Sequence, residues 1–338
     1  LIRSAEGQQF VIPLSGGYDS RLIVAMLKKK KYENVVCYTV GRPGNPENKI
    51  ARQVSEKLKY PHYFIDNSNP DLISDYVNDP IFQKYYKYSG FLTNSFWMYE
   101  YFGVKYLIEN NKVEKTAVFV PGHTGDFLAG SQLTKTGITN NDDSESFFKK
   151  ALDSIIFFGQ VKNKSFVEKI RRLLSNPNDN YLLTSIYDDF LSKSRYPLLI
   201  NNSARIYSFF GHEHRLPFWD AEIVHFFKIL DPELKNNKIF LRRYLQQNLF
   251  HEFDINFFFE LQADKKDLKK MFFRKKIKSI LPSFIVRQIS NDPDYTCMRE
   301  ISKPLLTDLE RENIRLKSNS LNEVFMRWYL MRLKKDIN

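Results

Sequence analysis

The chain has 338 residues, 43% of them hydrophobic and 27% charged, enough apolar surface to bury one elaborated core or two closely packed ones and too much for a disordered chain. Only Cys37 and Cys297 are cysteines, which excludes a disulfide framework and any zinc site built on several thiolates. Lys and Arg number 51 against 39 Asp and Glu, a formal net charge of +12, which favours anionic partners such as nucleotides, acidic sugars, nucleic acid or acidic lipids without choosing among them.

No apolar run reaches the roughly 18 residues of a membrane span. No basic-then-apolar leader opens the residues given, although residue 1 is Leu rather than Met, which leaves room for an upstream segment. The expected compartment is the reducing cytoplasm.

In chain order, the first third alternates strands and helices. Gln9 to Leu14 is a short apolar run ending at a Ser-Gly-Gly turn. Leu22, Ile23, Met26 and Leu27 then recur at helical spacing, and Lys28 to Lys31 close that helix with cations at its negative end. Val35 to Val40 reads as a second buried strand, bounded by Gly41, Pro43 and Gly44, and Ile50, Ala51, Val54 and Leu58 form one face of the next helix. His62 to Ile65 is a third strand, and Thr116 to Val120 a fourth that ends at Pro121-Gly122. Between them, the aromatic-rich stretch from Phe91 to Tyr106 has helical spacing and reads as core. Ser89 to Ser95, preceding the fourth strand, are placed to reach an acceptor pocket.

This alternation predicts an α/β fold, a parallel sheet with flanking helices and right-handed crossovers. Ligands of such sheets sit at the carboxyl ends of the strands, where the Gly-bearing turns after Leu14, Val40 and Val120 all fall. From about residue 140 helical periodicity with Lys-rich polar faces takes over, broken at Asn140 to Ser146 and Ser175 to Asn180 by polar surface loops. The expected organisation is an α/β nucleotide-binding core over residues 1–139 and a mostly helical region over 140–338 that closes over it.

Ser15-Gly16-Gly17-Tyr18-Asp19-Ser20 lies between a buried strand and an amphipathic helix. Two adjacent glycines let the backbone approach an anion without a Cβ clash, and the helix that follows offers unpaired N–H groups at its positive end. Ser15 and Ser20 add hydroxyl donors. Asp19 cannot favour a bare phosphate, so it implies a cation such as Mg²⁺ beside a polyphosphate. The plainer reading is a generic strand–turn–helix connection.

The loop resembles the SGGxDS pyrophosphate loop (PP-loop) of the ATP pyrophosphatases, and the GxxxxGK[ST] loop is absent. Two further segments resemble the synthetase domain of the asparagine synthetases. One is Val40-Gly41-Arg42-Pro43-Gly44-Asn45-Pro46 with Ala51 to Leu58. The other is Glu213-His214-Arg215-Leu216-Pro217-Phe218-Trp219-Asp220, similar to that family's ExRxPFLD with Trp219 in place of Leu, followed by Lys238 and Leu241-Arg242 in a KxxLR pattern. The resemblance spans roughly residues 9 to 250.

It implies an adenine nucleotide alpha hydrolase-like fold and ATP-dependent amide formation on an acceptor carboxylate through an acyl-adenylate. Leu14, Ser15, Gly16, Gly17, Asp19, Ser20, Val40, Pro121 and Gly122 would hold ATP. The run Gly122-His123-Thr124-Gly125-Asp126 stands where the family has GEGxDE, so Asp126 would join Asp19 on Mg²⁺; a helix cap is the alternative for Asp126. His123 replaces a family Glu and would pair with Glu213, which would raise its pKa and suit a proton acceptor for an incoming amine. A pocket-lining His is the alternative.

The substitution argues against ordinary aspartate as the acceptor. The variant looks like synthetase relatives of surface-polysaccharide biosynthesis, which points to a small-molecule or glycan carboxylate, such as a uronic acid. The nitrogen would be ammonia, derived from glutamine through a separate or missing glutaminase, or an amine of the substrate. Competing readings are a β-lactam synthetase- or lasso-type cyclase, a tRNA-modifying PP-loop enzyme, against which the ExRxPFWD-like segment argues, and a non-catalytic nucleotide-binding relative. A family Lys expected after that segment has many candidates in Lys265 to Lys278 and none singled out; a solvated helix face is the plainer reading of that run. Cys37 reads as core, Cys297 has no partner signal, and no His shows metal-ligand spacing apart from His212 and His214 flanking Glu213.

Overall fold

Strand β1 (Phe10–Pro13) is apolar along its whole length because both faces of its sheet are covered. Phe10 and Ile12 enter one apolar cluster and Val11 the other, as the two-residue period of a strand requires. The computed structural model describes residues 1–90, 94–155, 163–175, 181–235, 238–257, 294–316 and 320–337. After β1 come α1 (Tyr18–Lys29), β2 (Val35–Gly41), α2 (Pro46–Leu58), β3 (His62–Asp66), α3 (Pro70–Ile73), α4 (Pro80–Gly90), α5 (Tyr101–Glu109) and β4 (Val118–Phe119). The sheet is parallel throughout and ordered β3-β2-β1-β4-β5. Successive strands first build outward from β1 on one side and then return to its other side at β4. The strand order therefore reverses at β1, and that is where a parallel sheet opens a crevice at its carboxyl edge.

The remaining elements are α6 (Gly125–Leu128), α7 (Ser131–Thr136), α8 (Ser144–Ile155), α9 (Lys164–Leu173), α10 (Leu183–Lys193), α11 (Arg205–Phe209), β5 (Glu213–His214), α12 (Ala221–Ile229), α13 (Pro232–Lys235), α14 (Ile239–Tyr244), α15 (Met298–Arg311) and α16 (Leu321–Ile337). The helical half was expected, but β5, its one strand among the described residues, was not. β5 pairs Glu213 with Val118 and His214 with Phe119, and two polar residues leave no apolar run to read. The polar break at Asn140 to Ser146 ends in a cap: Asp143 Oδ1 accepts from the N–H groups of Glu145 and Ser146 at 3.0 and 2.9 Å. Most of the second break, residues 176–180, lies outside the described residues.

Apolar packing crosses position 139 on both faces of the sheet. One cluster joins Phe10 and Ile12 to Tyr187, Leu245 and Ile255, and the other joins Val11 and Tyr38 to Ile301 and Trp328. Trp328 of α16 is fully buried, with its ring 5.0 Å from Tyr86 and 5.5 Å from Phe96. Cys37 and Cys297 are both buried free thiols. No helix among the described residues is long and apolar enough to cross a membrane.

Arg21, in the second turn of α1, is 1% exposed. Its guanidinium donates to the carbonyls of Ile255 (3.1 Å), Phe257 (2.8 Å) and Gly16 (2.7 Å) and lies over the Tyr18 and Phe250 rings. Burial lowers its pKa to about 10, so it stays charged at neutral pH. One buried cation thus ties the turn after β1 to the segment that follows α14. Arg21→Ala would leave these carbonyls without donors and a cavity behind them. The expected loss is about 3 kcal/mol or more, read from urea denaturation midpoints; an unchanged midpoint would deny the tie.

Candidate active site

The turn between β1 and α1 is fixed from inside. Ser15 N donates to Ser20 Oγ at 3.1 Å, the two hydroxyls lie 3.2 Å apart, and Gly17 N donates to Ser15 Oγ at 3.1 Å. Gly17 is the N-cap of α1 and brings no side-chain acceptor, so the first-turn N–H groups are left for an anion. Asp19 sits in that first turn.

The turn after β4 closes against this loop. A Cβ on Gly122 would come within 3.0 Å of Ser20 N, and one on Gly125 within 2.6 Å of Asp19 Cγ. Only hydrogen at residue 125 leaves room for the carboxylate beside it. Asp19 Oδ1 is shut off from water and accepts no hydrogen bond. Burial raises its pKa to about 6, and the Lys238 ammonium pulls the other way. The same ammonium donates to Asp126 Oδ1, and Asp126 stands in the first turn of α6. A cation therefore already occupies the space that both carboxylates face, and an orphaned carboxylate oxygen is a donor suited to a hard divalent ion. Among the described residues no group of three or more His, Cys, Asp or Glu could hold a metal.

A cleft of ≈ 360 Å³ opens over these turns. Of the residues singled out in the sequence, Leu14, Ser15, Gly17, Asp19, Ser20, Val40, Pro121, Gly122, His123 and Asp126 line it. Gly16 does not; it backs onto α2, where a Cβ would lie 3.2 Å from Glu47 Cα. Thr39, between Tyr38 and Val40, donates to Leu14 O at 2.6 Å and lies 2.9 Å from His62 Nε2, so His62 braces the cleft edge.

Glu213 is also outside the cleft, and its expected pairing with His123 is corrected. Its side chain is 63% exposed and bound to Arg215 at 2.7 Å. Glu213 and His214 are neighbours on a strand, so they point to opposite faces. It is His214 that turns inward, its Nδ1 3.3 Å from Ser208 Oγ and its ring 6.1 Å from that of Tyr207. His123 Nδ1 lies 3.5 Å from Ser203 Oγ. Its pKa is depressed rather than raised, to about 4, first by burial and then by like charge on His214. The imidazole is neutral at pH 7.

Sequence reasoning missed Tyr38, Glu47, Trp97, Tyr99 and Glu100, which line it together with Pro13 and Thr39. The segment from Ser89 to Ser95 was expected at the acceptor pocket. Ser89 is instead buried, accepting from Trp97 N at 3.3 Å, and residues 91–93 lie outside the described residues. The signal available was the one carboxylate, Glu100, inside an aromatic run read as core. Lys265 to Lys278 lie outside the described residues. His212, considered as a possible ligand, is buried with Nδ1 3.0 Å from Ala117 O.

The family model for asparagine synthase matches residues 5–289. The chain belongs to the asparagine synthase family. A probable glutamine-hydrolysing asparagine synthetase of Acanthamoeba polyphaga mimivirus is 27% identical over 146 residues, which are 43% of this chain and 26% of that protein's length.

The Asp19 pKa carries a stability consequence. Its folded value near 6 exceeds the ordinary 3.8, so the folded chain binds the proton more tightly and loses stability as pH rises between those values. Asp19→Asn removes that loss. In protein free of divalent ions, the variant's urea midpoint should exceed the parent's at pH 7 and converge on it below pH 3.8. Equal midpoints across the range would contradict the burial of this charge.

Proposed function

We propose that this chain joins an acceptor carboxylate to a nitrogen nucleophile through an acyl-adenylate, with AMP and pyrophosphate as the other products. The observation that carries the reading is the cleft in which the Ser15–Ser20 loop meets Asp126, with Asp19 Oδ1 buried between them and unpaired. ATP lies along the carboxyl ends of β1, β2 and β4, its adenosine against Leu14, Val40, Pro121 and Gly122. The first-turn N–H groups of α1 and the hydroxyls of Ser15 and Ser20 hold the phosphates and offset charge that builds as the bond between α-phosphorus and bridging oxygen breaks. Asp19 and Asp126 would hold Mg²⁺, which supplies charge neutralisation on the departing pyrophosphate. Lys238 keeps the same place cationic.

The acceptor oxygen attacks the α-phosphorus, and the resulting acyl carbon is then open to an amine. Because His123 is neutral at pH 7, its ring is free to take a proton from the adduct. The acceptor we favour is a uronic acid of a surface polysaccharide. It is supported by the His123 replacement within the resemblance and by the net charge of +12, which draws acidic glycans. The nitrogen is ammonia, released from glutamine by another domain or chain, or an amine of the substrate itself.

Incubation with Mg²⁺-ATP, glutamine or ammonium and a panel of carboxylates including uronic acids should release AMP and pyrophosphate. Asp19→Asn and Asp126→Asn should each cut that release by about 100-fold with the fold intact. Formation of ADP instead would overturn the reading, and full amide formation by His123→Ala would remove His123 from it.

A further inference from the structure

The far end of the cleft has the opposite character from the phosphate end. Glu100, at the start of α5, is 6% exposed, and its Oε2 accepts from Tyr207 Oη at 2.5 Å and Tyr38 Oη at 3.3 Å. Among the described residues no cation pairs with it. Burying a carboxylate without a counter-charge is costly, and such groups either hold their proton or meet a cation. Burial raises the Glu100 pKa, and the two tyrosine hydroxyls offset that only in part. Tyr38, Trp97 and Tyr99 line the same cleft, and aromatic rings favour a small cation once water is excluded. Trp97 Nε1 is buried without an acceptor. Of the other cleft carboxylates, Asp19 and Asp126 stand at the loop, and Glu47 packs against Gly16 while acting on Tyr99.

We propose that Glu100 is the seat of the attacking nitrogen, binding ammonium or a primary alkylammonium group and taking its first proton. The role in transfer rests on the acyl-adenylate reading; the seat itself does not. In that step the bound R–NH₃⁺ gives one proton to the Glu100 carboxylate. The freed nitrogen pair forms the C–N bond at the acyl carbon. The acyl C–O bond to the phosphate breaks, its electron pair leaving with AMP, and the second nitrogen proton passes to neutral His123. Glu100 thus does what Glu213 was expected to do, from a different element.

The test follows tryptophan emission at constant ionic strength while ammonium chloride or methylammonium chloride is added, with tetramethylammonium and sodium chloride as controls. The native chain should show a saturable change with the two N–H-bearing cations and none with the controls. Tighter binding of ammonium would assign the seat to free ammonia, and tighter binding of methylammonium to a substrate amine. Glu100→Gln keeps an acceptor for both tyrosines and should weaken binding by about tenfold or more, while Glu33→Gln, an exposed carboxylate outside the cleft, should leave it unchanged. No discrimination from tetramethylammonium in the native chain would overturn the proposal whether or not the variant folds. An unaltered midpoint in a folded Glu100→Gln protein would do so too, as would an equal loss in Glu33→Gln. Methylammonium binding by a chain that releases no pyrophosphate from ATP would count against the adenylate reading and in favour of the seat.

Discussion

The contact on which the site depends is between Gly125 and Asp19. A methyl group at residue 125 would stand 2.6 Å from the Asp19 carboxyl carbon, far inside van der Waals contact. This closeness pins the turn after β4 to the first turn of α1, and it is available only because β4 lies directly beside β1 in the sheet. It also shields one carboxylate oxygen from water. The buried carboxylate is partly offset by the nearby Lys238 ammonium, and its unpaired Oδ1 is the donor on which the proposed divalent ion would rest. Backbone strain collects here as well: Thr124, the residue before Gly125, is left-handed at φ 71°.

Around that contact the cleft divides by chemistry. The loop end presents N–H groups, hydroxyls, Asp19 and Asp126, with Lys238 on Asp126; elsewhere its lining presents Glu100 and three aromatic side chains. The proposed reaction, which first expels an anion and then admits an amine, would use these two environments side by side. Arg21 braces the whole from behind. It holds Gly16 O, on the loop's inner side, to Ile255 and Phe257, so loop geometry depends on chain more than 230 residues away.

Much of this was legible in the sequence because buried parallel strands are continuous apolar runs. Val35 to Val40 could hardly be anything else, and the glycine pair after Leu14 marks the loop by chemistry alone. What stayed hidden was set by direction rather than identity. Nothing in Glu213-His214 says which side chain faces inward until β5 is paired with β4, and the pairing sends the Glu out and the His in. His123 could be placed in the cleft from its position after β4, but the sign of its pKa shift was set chiefly by its burial, which only the packed fold shows. Glu100 was masked for another reason. Its neighbours are aromatic and satisfy a core pattern, while its partners, Tyr38 and Tyr207, come from distant elements.

The most direct measurement is the ATP affinity of Gly125→Ala against the native chain, by calorimetry in the presence of Mg²⁺, with circular dichroism to show that the fold persists. If the closeness of residue 125 to Asp19 builds the phosphate end, the added methyl group displaces the carboxylate and ATP binding falls by about tenfold or more. A folded variant that binds ATP as tightly as the native chain would contradict the account.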